Sequence, residues 1–489
     1  MKKNFTLILR TSFWVFILFC TMQNLNAQVG IGTTSPAASS ALDITSTTKG
    51  LLTPRMTTVQ KNAIVAPANG LMVYDTDLKV FSYYDLPTTT WINVTQGRSK
   101  FKRIKSTDVL ATVLAAELSA GSGSKYLLDS QTLYEINGTV TLNFPIELNN
   151  AYIIGLDSSD DKLVKATGDL FTGTTGGSIR VLTLSATAGS VFNINGGGTQ
   201  NLIFRDMIIT GSANVGLIQN FNMVFSSIVQ YVGNANGTIY RNISKLLLDN
   251  QGWFGNNTGV FEKYEGTFGS IQKQGGFSDV NGAAIGVDFS SNPTITNYGT
   301  MQSVNFAGTL STGKYVDPYT GLGTYSGFNF NNKWDVNCSG IPYEGDSYSV
   351  GDVNFDYVIG FGIETNLSST PIKVVGVTSS NNMNRASNGG TNNRIQYLGN
   401  KKRYFTVNAV GSFQATNGSN TTYVFYIAKN GVVINQSKSY AFSTNSIDIR
   451  TFPIQCIVEL NPNDYVEVFA RQLSGTSNML TVSLNLFMR

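Results

Sequence analysis

The sequence predicts an all-β protein whose bulk is a right-handed parallel β-helix, closed by a C-terminal jelly-roll β-sandwich and preceded by a small separate module. Three observations point there. Charged residues are only 13% of the chain while 42% is apolar, against about 25% charged in an ordinary domain. Short β-branched and aromatic runs recur between Gly and Asn turns, with no sustained helical period. Towards the end of the chain the runs alternate more clearly, as half-buried antiparallel strands do.

Residues 1–27 read as a secretory signal. Lys2, Lys3 and Arg10 supply the positive region, Phe13 to Phe19 the apolar stretch, and Leu25-Asn-Ala27 the small-residue cleavage site. The apolar run is shorter than the roughly 20 residues a membrane span needs, so the mature chain is expected to have no transmembrane segment and to be exported. Removing the signal takes away three basic residues and no acid, and the formal net charge falls from +4 to +1. No basic field remains for a phosphate backbone, which excludes nucleic acid as a partner. The chain has no histidine, which excludes Ser-His-Asp and Cys-His nucleophiles and histidine-ligated zinc. Cys338 and Cys456 read as isolated thiols.

Residues 28–97 form the first unit. Ala41 to Ile44 and Leu71 to Tyr74 are predicted strands, Val80 to Tyr84 and Trp91 to Val94 a hairpin, and Met56 to Ala66 contains a short helix. So small a unit, poor in core residues, calls for oligomerisation. Residues 98–126 are expected to be a basic linker (Arg98 to Lys105) and a capping helix (Val109 to Leu118). Residues 127–371 carry the solenoid texture, from Leu133-Tyr-Glu-Ile136 to Val304-Asn-Phe306, with Asn-rich turns that tolerate left-handed corners. Residues 372–489 hold the alternating strands and an Asn430-Gly431 hairpin turn.

The motifs Val29-Gly-Ile-Gly-Thr-Thr-Ser-Pro36, Ala41-Leu-Asp-Ile44, Lys49-Gly-Leu-Leu-Thr-Pro-Arg-Met56 and Ala68-Asn-Gly-Leu-Met-Val-Tyr-Asp75 resemble a module at the N-termini of Bacteroidetes-type surface and phage tail-fibre-like proteins. Ile457-Val-Glu-Leu-Asn-Pro-Asn-Asp-Tyr-Val-Glu-Val468 and the apolar last strand resemble the jelly-roll heads of C1q/TNF-like proteins. Together with the solenoid the chain is similar to tailspike-like and pectate-lyase-like β-helix proteins. The resemblance implies a homotrimer exposed at a bacterial cell surface, with extracellular polysaccharide or a surface protein as partner.

For chemistry, Asp157, Asp160 and Asp161 share one turn, and Glu344 and Asp346 lie near the end of the solenoid. A glycosidase needs two carboxyls about 5–9.5 Å apart; the same acids also suit turn capping. Tyr315, Tyr319, Tyr325, Trp334 and Tyr343 belong to an aromatic, amide-rich stretch suited to sugar stacking or to covering the end of the solenoid. Asp352, Asn354 and Asp356 imitate the start of a calcium loop, but Tyr357 and Ile363 stand where such a loop needs Gly and Glu. No cofactor is expected. The preferred reading is a secreted, non-catalytic trimeric fibre or adhesin binding multivalently. The alternatives are a tailspike-like polysaccharide depolymerase and a purely structural envelope component.

Overall fold

The computed structural model describes residues 28–94, 100–321 and 323–489; the signal sequence expected at residues 1–27 lies outside them. The chain divides into two compact units, Met1–Gly97 and Arg98–Arg489.

In the first unit Val29–Ile31 pairs in parallel with Leu42–Ile44. A four-stranded sheet joins Arg55–Met56, Met72–Asp75, Val80–Asp85 and Thr90–Asn93. The helix Thr58–Asn62 starts at a capping box in which Thr57 and Gln60 satisfy each other's backbone N–H groups. Asp75 is buried between helix and sheet. It accepts from the Thr58 hydroxyl, from the N–H of Asp77 and Leu78, and from the Lys61 ammonium at 2.8 Å. Burial alone would raise its carboxyl, but Lys61 and these donors hold it down at about 2. Among residues 28–94 Val73 is the only buried apolar side chain, while Ile31, Leu51, Leu52, Val59 and Phe81 stand in solvent.

The second unit opens with a parallel β-helix, assigned from strand register. Phe101 pairs with Leu133, Leu133 with Tyr152, and the column continues through Ser178, Ile203, Phe225, Leu247, Gln272 and Thr300 to Asp335. A second column runs Val140, Leu163, Leu184, Ile209, Tyr231, Trp253, Ser278, Phe306. A third runs Tyr126, Ile146, Phe171, Phe192, Gly216, Thr238, Glu262, Val287, Val316. Three faces thus repeat over about eight complete turns. Every pairing is parallel, so each inward residue stacks on its counterpart one turn away, and one apolar cluster runs unbroken from Ile104 to Cys338.

The corners explain the sequence texture. Between the first and second faces the chain turns at Val181, Asp206, Ile228, Asn250 and Ser303, all with positive φ. Between the third and first it turns at Asn220 and Asn242. Asparagine tolerates this conformation, so it recurs. The middle strands run through corners without interruption and reach 19 residues in Asn214–Val232, longer than the short runs expected.

The expected basic linker is partly a strand. Phe101–Lys105 forms the first rung and buries Ile104; Lys102, on the same face, pairs with buried Glu117, while outward Arg103 pairs with Glu135. Two short helices, Leu110–Val113 and Ala115–Ala120, place Leu110 and Leu114 against the core.

The C-terminal part consists of two antiparallel sheets. One contains Val350–Asp356, Ile363–Thr365, Ser379–Asn384, Arg403–Ala415, Arg450–Leu460 and Met479–Met488. The other is built around Thr421–Lys429 and Tyr465–Ser474. Phe413, Tyr423, Phe425 and Phe452 share one core, with the Phe425 and Phe452 rings stacked at 3.8 Å. The expected Asn-Gly hairpin is present: Lys429 pairs with Val432 across Asn430 and Gly431, both at positive φ. The antiparallel sheets take in Val350–Asp356 and Ile363–Thr365, which lie ahead of the boundary expected at 371.

Candidate functional site

A collection of free polar groups lies at the seam where the β-helix meets the antiparallel sheets. Its floor is a set of fixed charges. Asp346 opens a short 3-10 turn, Asp346–Tyr348. One of its oxygens takes Arg385 Nη1 at 2.6 Å, and the other takes the N–H groups of Asn400 and Lys401 at 2.9 and 2.8 Å. Arg385 is itself buried and also donates to the carbonyls of Asn332 and Trp334. Both charges are committed, which locks the loop carrying Asn400 and Lys401 onto the end of the β-helix.

The walls are different. Tyr298, Lys333, Asp335 and Lys401 line a groove of about 680 Å³, and all four are exposed. None of the three charged ones enters an ion pair among the described residues. The strand Trp334–Ser339 positions two of them. Trp334 points inward and is buried, so its neighbours Lys333 and Asp335 must point out. The groove therefore offers a free aromatic ring, two ammonium groups and one carboxylate.

The sequence-predicted residues separate into distinct roles. Glu344 is buried, and its carboxylate accepts the N–H groups of Asn329 and Phe330 at 2.6 and 2.8 Å. Burial pushes it up to about 7, against the pull of those donors. It is sealed behind backbone and does not line the groove. Asp161 is also buried; burial would raise it, but the N–H groups of Asp157, Gly138 and Leu156 hold it lowered. Asp157 caps Ser159. With Asp160 these acids edge a separate hollow on an early turn of the solenoid.

Of the aromatic candidates, Trp334 and Tyr319 are buried, with Trp334 Nε1 donating to Tyr319 Oη. They close the end of the β-helix together with Phe289 and Phe330, and neither ring face is open to a ligand. Tyr325 donates to Asn332 and Tyr315 to the Gly308 carbonyl. Tyr343 is exposed and packs against Tyr348.

Asp352, Asn354 and Asp356 lie on the strand Val350–Asp356, not in a loop. Alternate residues of a strand stand about 7 Å apart, too extended to wrap one ion, and Asp352 accepts from Asn485. Among the described residues no group of three or more acids and cysteines could hold a metal. Sequence reasoning missed Tyr298, Lys333, Asp335, Arg385 and Lys401. Alternation about Trp334 was a usable signal for Lys333 and Asp335; nothing in the sequence joins Arg385 and Lys401 to them.

A larger trench of about 710 Å³ runs along one solenoid corner, past Asn195, Asn220, Asn242, Ser244, Thr267 and Thr296. No titratable side chain lines it, so it offers no acid or base chemistry.

Residues 30–108 match the family model described as a phage tail like trimerisation region. No curated protein matches the chain. Among solved structures it is similar to the enzymatically active domain of tailspike protein 4 of bacteriophage CBA120 (10% identity, covering 90% of this chain and 77% of that one, TM-score 0.24). It is also similar to the tailspike of Acinetobacter baumannii phage AM24 (10% identity, 86% and 91%, TM-score 0.23). A third is Pantoea stewartii WceF, a glycan biofilm modifying enzyme with a bacteriophage tailspike-like parallel β-helix fold (8% identity, 88% and 72%, TM-score 0.26). The β-helix assignment rests on strand register, and superpositions at these scores add nothing to it.

Proposed function

We propose that this chain is an exported, homotrimeric, tail-fibre-like protein of the bacterial surface that binds anionic glycans at the seam groove without cleaving them. The observation that carries the reading is the groove itself: free Lys333, Lys401, Asp335 and Tyr298 around a floor already neutralised by Asp346 and Arg385. Ammonium groups suit a sugar carboxylate or other anion, the ring suits an apolar sugar face, and Asp335 accepts hydroxyl donors. The match of residues 30–108 to a trimerisation region supports three copies. Three weak sites on one assembly then bind multivalently. The two-sheet C-terminal part is read as a jelly-roll head.

Binding without cleavage is favoured because a hydrolase of the two-carboxyl kind needs one acid held protonated beside a free carboxylate. Glu344, at about 7, is the carboxyl whose pKa suits the acid, but it is sealed by backbone donors. Asp346 is bound by three donors. The test is incubation of the mature protein with a polysaccharide panel, reading retention and the release of reducing or unsaturated ends. Retention of anionic polymers without release is expected, weakened at least tenfold in Lys333→Ala/Lys401→Ala. Release of chain ends would overturn the reading in favour of a depolymerase.

A further inference from the structure

Two loops of the C-terminal sheets present large apolar side chains where turns ordinarily carry polar ones. The turn at Val358–Phe361 closes with the Phe361 N–H on the Val358 carbonyl, and Gly360 takes the positive φ this geometry requires. It leaves Val358, Ile359 and Phe361 in solvent, Phe361 at 78% exposure. The loop before Arg450 presents Ile447, at 81%, and Ile449.

These loops are held side by side. Gln414, nearly buried, accepts the Gly360 N–H at 2.9 Å and donates to the Ile447 carbonyl at 3.1 Å. Asn445 pins the second loop by accepting the N–H groups of Ile447 and Asp448. Asp448 is neutralised by Arg450 at 2.8 Å. The result is a preformed apolar patch on ordered loops, which loses little entropy when covered. Free chain ends and flexible loops do not look like this.

We infer that this patch is a second self-association surface, at which the copies of the chain meet one another through the same residues around a three-fold axis. The inference rests on the homotrimer proposed above. Copies already joined through residues 30–108 hold their other parts at millimolar effective concentration, so a patch of five apolar side chains suffices. The charge pattern selects the occupant. A membrane surface would need unpaired Lys or Arg around the apolar residues. The two loops contain none, and Asp448 is their one charged residue.

The test uses the full mature chain carrying Ile447→Cys, with Lys438→Cys and the parent chain as controls; native Cys338 is buried and Cys456 half-buried. Light scattering gives the assembly, and mild oxidation followed by non-reducing electrophoresis reads proximity. A trimeric mass with most of the Ile447→Cys chain converted to disulfide-linked dimer, and little from the controls, is expected. A trimeric mass with no more cross-linking than Lys438→Cys overturns this interface and leaves the homotrimer standing. A monomeric mass overturns both. Sedimentation of the parent chain with phosphatidylcholine/phosphatidylglycerol vesicles, abolished in Phe361→Asp/Ile447→Asp, also overturns it.

Discussion

The solenoid and the N-terminal module keep apolar surface from water in opposite ways. In the solenoid every turn lays its inward residues on the turn before, so Tyr134, Ile153, Ile179 and Phe204 form one buried column and the chain supplies its own core. At about 1.5–3 kcal/mol per fully buried large side chain, such columns stabilise the stack without any partner. In residues 28–94 the buried set is Val73 with Lys61, Asp75 and Ser82, and most large apolar side chains are exposed. Sequence repetition produces a self-sufficient core; a short non-repeating module does not, and needs other copies to finish it.

The sharpest way to break the solenoid side of this comparison is at an ion pair buried in its interior. Lys273 and Glu262 are each 1% exposed and 2.8 Å apart inside the helix. Trp253 Nε1 and the Tyr264 hydroxyl donate to the same carboxylate. Lys273→Met leaves Glu262 charged, buried and without its counter-ion, and should destabilise the second unit by about 3–5 kcal/mol in chemical denaturation. The pair variant Glu262→Leu/Lys273→Met should recover most of that loss, because a neutral core has no uncompensated charge.

Acid should separate the two regions. Asp75 titrates at about 2, below its ordinary 3.8. The folded module therefore prefers the charged form, with stability complete above about pH 4 and lost as pH falls through about 2. Glu344 titrates at about 7, above its ordinary 4.5. The folded β-helix end prefers the neutral form, so its contribution is full below about pH 4.5 and lost as pH rises through about 7. The solenoid also holds Asp161 lowered, but it keeps a continuous apolar core that the module lacks. Pepsin at about pH 2.5 should then cut within residues 28–94 before it cuts the solenoid. Solenoid cleavage first would contradict this assignment.

The smallest effect is at a corner. Ile228 occupies a left-handed position, φ 54°, where neighbouring turns carry Asp206 and Asn250. Its side chain is 45% exposed, so little burial is at stake. Ile228→Asn should stabilise the solenoid by about 1 kcal/mol through relief of that strain, read as a raised unfolding midpoint.

Much of this was legible in the sequence, because it depends on local patterns. The short helix within Met56 to Ala66, the Asn430-Gly431 hairpin and the Asn corners are short-range signals with one physical reading. Arg98 to Lys105 misled, since its lysines and arginines advertise solvent while the single buried Ile104 decides the strand. The seam groove was mostly hidden. Arg385 and Asn400 reach Asp346 across long stretches of chain, and nothing in their local sequence announces that contact. Trp334 and Tyr319 suited either sugar stacking or closing the end of the solenoid, because composition cannot tell an exposed ring from one that closes a core.

The measurement that bears most directly on the contrast is the solution mass of the mature chain by light scattering, alone and with Leu52→Asp/Phe81→Asp in the module. The account predicts a trimer for the parent and a folded monomer for the variant, with strand signal and solenoid melting unchanged, because the solenoid needs no partner. A monomeric parent, or a variant whose solenoid unfolds when the trimer is lost, would contradict it.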